Sequence, residues 1–127
     1  MRLVIGGNAQ GKLDYVLSNY NTGEDMVRDG VLPDNVKCEN GTVVINHFHH
    51  WVKKRIADGA CPEDEIMSFL DDCGDCIIIS DEIGNGIVPA DAFEREYRER
   101  AGRLLVKIAD RAEEVVRIIC GIGQRIK

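Results

Sequence analysis

The heptapeptide Gly6-Gly7-Asn8-Ala9-Gln10-Gly11-Lys12 fits the pattern G-x-x-x-x-G-K, and its surroundings restrict the chain more than any other feature. Before it, residues 2–6 form a short aliphatic run. After it, Leu13, Val16, Leu17 and Tyr20 recur at helical spacing over residues 11–20. Strand, glycine turn and helix in that order curl successive backbone N–H groups inward, add the partial positive charge of a helix N-terminus, and bring one lysine to the same point. The chemistry is suited to phosphate.

The rest of the chain repeats the alternation. Residues 42–45 are β-branched, and residues 47–56 carry Phe48, Val52 and Ile56 on one helical stripe. Pro62 precedes a second helical pattern over residues 63–70, and residues 76–80 are continuously apolar, as in a strand covered on both faces. Asp91 followed by Glu94 marks the start of a long helix whose stripe runs through Phe93, Tyr97, Ala101, Leu104, Leu105, Ile108 and Ala112. Residues 115–120 predict a fourth strand, with a tail that extends it or pairs with it. Residues 21–41, broken by glycines and Pro33, read as connecting structure holding a short helix or an edge strand. The expected fold is a single α/β domain over residues 1–127, with a mostly parallel sheet between helical layers and ligands beyond the carboxyl ends of the strands.

A formal net charge of -6 argues against nucleic acid as a partner. No apolar run approaches the roughly 20 residues that span a bilayer, and residues 1–7 lack a basic leader, so a cytoplasmic setting is expected. Five cysteines, odd in number and irregularly spaced, predict reduced thiols, and Cys73-Gly74-Asp75-Cys76 predicts a turn.

The last third of the chain adds a long contiguous pattern. Ile77-Ile78-Ile79-Ser80-Asp81-Glu82-Ile83-Gly84-Asn85-Gly86-Ile87-Val88-Pro89, then Tyr97-Arg98-Glu99-Arg100-Ala101-Gly102-Arg103, then Gly121-Ile122-Gly123-Gln124-Arg125-Ile126-Lys127, resemble the adenosylcobinamide kinase/adenosylcobinamide-phosphate guanylyltransferase family of cobalamin biosynthesis. The resemblance covers residues 1–13 and 76–127 and takes a shortened form. It implies a reduced P-loop (RecA-like) three-layer fold, usually assembled as a homotrimer. It also implies ATP or GTP as the nucleotide and adenosylcobinamide as the phosphate acceptor, with GMP then attached through a covalent histidine. By position, Gly6, Gly7, Asn8, Ala9, Gln10, Gly11, Lys12 and Leu13 hold the nucleotide phosphates, and Lys12 and Glu82 carry the chemistry. The loop of residues 84–89 faces the nucleotide, and Arg98 and Arg103 serve positioning or an interface.

The chain departs from that pattern at four places. Gln10 and Leu13 stand where the family has Ser, so the hydroxyl that normally ligates magnesium is absent. The strand at residues 42–46 ends in Asn46-His47 without a carboxylate, and residues 21–41 contain no histidine. All three histidines, His47, His49 and His50, fall just after that strand, and three ligands so close at a helix start do not converge on one metal. If a carboxylate assists magnesium, it is in the pair Asp81-Glu82. Two readings follow: an ATP- or GTP-dependent kinase-like enzyme, or a catalytically silent relative that keeps the scaffold as a binding or regulatory subunit.

Overall fold

The structure is a computed structural model that describes residues 1–33, 41–73, 75–83 and 89–127. Among these residues the order is β1 (Arg2–Gly6), α1 (Lys12–Asn19), a 3-10 turn (Glu24–Met26), β2 (Val27–Asp29), β3 (Val43–Asn46), α2 (Phe48–Ala57), α3 (Pro62–Asp72), β4 (Cys76–Asp81), α4 (Ala92–Arg111), β5 (Glu114–Ile119) and β6 (Ile122–Arg125). The strands make one sheet in the order β2-β3-β4-β1-β5-β6. All neighbours are parallel except β5 and β6. β1 is thus separated from β3 by β4, the order of the RecA-like P-loop folds.

Side-chain alternation divides each central strand between two cores. Val4, Val44, Ile77, Ile79, Val116 and Ile118 pack with Val16 of α1 on one face. Leu3, Val43, Ile45, Ile78 and Val115 pack on the other against Phe48 and Val52 of α2, Ile66 and Leu70 of α3, and Leu104 and Ile108 of α4. Both faces are covered, which is why β4 reads as an unbroken apolar run. Each such side chain, when fully buried, contributes about 1.5–3 kcal/mol.

The three helices on the second face are also tied to one another. Asp91 Oδ1 accepts from the backbone N–H groups of Phe93 (2.7 Å) and Glu94 (3.2 Å), so the expected cap of α4 is present. Glu94 turns its carboxylate to Lys53 on α2 at 2.6 Å. Arg100 of α4 grips both oxygens of Glu63 on α3 at 2.9 Å, and the Tyr97 hydroxyl donates to the carbonyl of His49 on α2.

Two strands exceed the four that the pattern predicts. β2 is the edge strand expected within residues 21–41, and β6 is the tail folded back on β5. Cys120 and Gly121 join β5 to β6 with φ of 51° and 74°, so the two-residue loop has the positive φ angles of a type I′ hairpin. One expectation is corrected: Cys73, buried at the end of α3, is disulfide-bonded, whereas Cys61, Cys76 and Cys120 are free thiols. Local spacing carried no hint of that bond. Cys76 opens β4, where burial pushes its thiol up to about 11. Among the described residues no helix is long and apolar enough to cross a membrane.

Candidate functional site

β1 ends against β5 at a point where only glycine fits: a Cβ on Gly6 would come within 2.6 Å of the Ile118 carbonyl oxygen. The loop that follows turns through Ala9 (φ 55°) and Gly11 (φ 83°) before α1 begins at Lys12. It is docked on the β5–β6 hairpin. Gly121 N–H donates to the Gln10 carbonyl (2.8 Å), and Cys120 N–H donates to Gln10 Oε1 (2.7 Å). Gln10 therefore uses its side chain to fasten the loop, a function that its substitution for serine did not suggest.

Lys12 is buried at the start of α1, 8% exposed. Its Nζ donates to the Gly7 carbonyl (2.6 Å) and pairs with Asp81 Oδ1 (2.7 Å) at the end of β4. Asp81 is opposite Gly6 in the sheet register, so the strand pairing itself brings carboxylate and ammonium together. His49, from the first turn of α2, closes the group. Its Nδ1 accepts the Asp81 backbone N–H (3.1 Å), which leaves the proton on Nε2, 3.3 Å from Asp81 Oδ2. Burial drives this imidazole down to about 4, against the opposing pull of the Asp81 charge and with help from His50, His47 and Lys12. A neutral ring that donates to the carboxylate is the consequence.

Glu82, also expected at the site, turns elsewhere. Its carboxylate takes a two-pronged contact from Arg117 of β5 (2.6 and 3.2 Å), and its N–H donates to the Gly6 carbonyl (2.9 Å). Asp81 is the acid that meets Lys12. The signal was in the sequence, because Asp81 shares the parity of Ile77 and Ile79, the residues that face α1.

On the other side, β3 ends in Asn46, whose amide Nδ2 donates to Asp29 Oδ1 of β2 (3.2 Å). His47 follows in the left-handed region (φ 51°, ψ 45°) at the N-cap of α2 without capping it. Its Nδ1 hydrogen-bonds Asp29 Oδ1 instead. His50 stacks on His47 with ring centres 4.9 Å apart. His47 and His49 thus serve different carboxylates, and among the described residues no three metal-ligating side chains form a cluster.

Between the two sides lies a cavity of about 220 Å³, lined by residues 8–14 and faced by Asn46, His47 and Asp81. Gly6 and Gly7 lie outside its lining, although the Gly7 carbonyl holds Lys12. Residues 84–88 of the expected nucleotide-facing loop lie outside the described residues. Arg103 pairs along α4 with Glu99 and is well exposed.

A family model described as cobinamide kinase / cobinamide phosphate guanyltransferase matches residues 18–126. The chain belongs to that family. Two curated relatives are similar to it, each named bifunctional adenosylcobalamin biosynthesis protein CobU. The Salmonella typhimurium (strain LT2) protein is 36% identical over 69 residues, 51% of this chain and 38% of its own length. The Escherichia coli (strain K12) protein is 37% identical over 67 residues, 50% of this chain and 37% of its own length. The chain thus matches less than two-fifths of the length of these relatives. The family match begins after residues 6–12, so membership and that glycine-rich loop are independent observations.

Proposed function

We propose that this chain binds the phosphates of ATP or GTP in the cavity at residues 8–13 and passes the terminal phosphate to adenosylcobinamide, a step of cobalamin biosynthesis. The observation that carries the reading is the Lys12 ammonium, held at a helix N-terminus beside a cavity that faces Asn46, His47 and Asp81 at the carboxyl ends of parallel strands. Backbone N–H groups of the loop receive phosphate oxygens, and Lys12 exchanges the Gly7 carbonyl for the outer phosphates. Glu82 supports the site at one remove, by fixing Arg117 and the end of β1 through its own contacts.

A magnesium ion bound with the nucleotide supplies charge neutralisation on the phosphates. Leu13 offers it no oxygen. The oxygen-donor chemistry that magnesium prefers is present in Asp81, whose carboxylate lines the cavity and is the protein group suited to hold it. The reading includes assembly as a homo-oligomer, trimeric by family resemblance, and a cytoplasmic setting.

A second reading is favoured by Leu13 and Asn46 together: a nucleotide-binding scaffold without turnover, lacking both the hydroxyl and the carboxylate that the family pattern carries there. Titration with ATP and GTP, with and without magnesium, followed by incubation with adenosylcobinamide and assay for its phosphate, separates the two. Product formation supports the kinase. Binding that ignores magnesium and yields no product supports the scaffold.

A further inference from the structure

We propose that the Asp29–His47 pair is the proton acceptor for the hydroxyl that attacks the bound nucleotide, an inference that rests on the kinase reading above. The two residues are 18 positions apart in sequence and meet because β2 and β3 pair in parallel with Asp29 opposite Asn46. Asp29 Oδ1 lies against His47 Nδ1 and also accepts from the Asn46 amide. A carboxylate at Nδ1 fixes the proton on that nitrogen and leaves the Nε2 lone pair free. Among the described residues Nε2 has no hydrogen-bond partner, and the ring lines the same cavity as Lys12.

Three features set His47 apart from a surface histidine. Its backbone is held in the left-handed region, uncommon for a residue with a Cβ. It occupies a helix N-cap yet does not cap. His50 stacks on its ring and restricts rotation. The side chain is 44% exposed, so a proton taken from the acceptor has a route to water.

In the transfer step the acceptor oxygen forms a bond to the terminal phosphorus as the bond from phosphorus to the bridging oxygen breaks, and the nucleoside diphosphate leaves. The hydroxyl proton passes to His47 Nε2, and Asp29 stabilises the resulting imidazolium. The proton then goes to solvent. His49, buried and committed through both nitrogens to Asp81, is not available for this work. The charged or titratable groups around His47 are Asp29 on β2, His49 and His50 on α2, and Lys12, Asp14 and Asp81 across the cavity.

The test uses the full chain with magnesium-ATP or magnesium-GTP and adenosylcobinamide, following the pH profile of kcat. His47→Gln is expected to lower kcat about 100-fold or more and to remove the acid limb of the profile. Nucleotide affinity should stay within about 2-fold of wild type, since a proton acceptor acts on the attacking group and not on binding. Asp29→Asn should give a smaller loss, and added imidazole should restore part of the activity of His47→Ala. Unchanged kcat and pH profile in both His47→Gln and Asp29→Asn would overturn the inference while leaving the kinase reading intact. An alkali-stable, acid-labile phosphate on His47 after incubation with labelled nucleotide would also overturn it, by making the residue a nucleophile. Nucleotide binding without transfer by the wild-type chain removes the kinase reading and this inference with it.

Discussion

Asp81 Oδ1 and Lys12 Nζ are 2.7 Å apart at the mouth of the phosphate loop, and His49 holds the other carboxylate oxygen. The carboxylate keeps the buried ammonium satisfied, yet in the proposed function it also sets a negative charge where the nucleotide phosphates would bind. Asp81→Asn is therefore expected to tighten binding of metal-free ATP or GTP by roughly 3- to 10-fold, within the range for removal of one like charge in a partly buried site. The same change should weaken the gain in affinity that magnesium brings. Calorimetric titration with and without the metal checks both signs, and equal loss of affinity in the two conditions would show Asp81 to be purely structural.

Gln10 makes a second, separable contribution. Its side-chain oxygen receives the Cys120 N–H, and its carbonyl receives that of Gly121. Gln10→Ala removes only the first, so the cost should be about 1 kcal/mol of stability. Hydrogen exchange at the Cys120 amide should quicken while that at Gly121 changes little. If both amides lose protection equally, the hairpin and the loop separate as a unit and the side chain is not the fastener.

Away from the site, Glu63 links α3 to α4. Hydrogen bonds from the Arg100 guanidinium hold its carboxyl down to about 2. A folded-state value below that of the unfolded chain means the stabilisation is complete above the ordinary glutamate range and drains away as pH falls from about 4.5 toward 2. Glu63→Gln should cost about 1 kcal/mol at neutral pH and almost nothing near pH 2. Thermal melts of the two proteins across that window should converge on the acid side. Curves that stay parallel would assign the loss to packing.

Much of this arrangement was legible in the sequence, for identifiable reasons. β1, the loop and α1 declare themselves through a short aliphatic run, a glycine turn and apolar residues at helical spacing. β4 shows as an unbroken apolar run because both its faces are covered, and Asp91 announces α4 as a cap that the structure contains. β2 is only three residues long and offers no periodicity to read. β6 is largely exposed, and its hairpin uses Cys120-Gly121 where Asn-Gly is the recognisable signal. At the site, Lys12 was evident from the motif, and the choice between Asp81 and Glu82 required counting strand parity from Ile77. The Asp29–His47 contact was out of reach, since it depends on the register between an edge strand and its neighbour.

The central claim is that the loop of residues 6–12 receives a nucleoside triphosphate through its backbone amides and the Lys12 ammonium. Isothermal titration of ATP and of GTP into the wild-type chain and into Lys12→Ala, both confirmed folded, tests it most directly. Saturable binding of at least one nucleotide, weakened about tenfold or more by Lys12→Ala, is the predicted result. Failure of the wild-type chain to bind either nucleotide, or equal affinity in the variant, would contradict it.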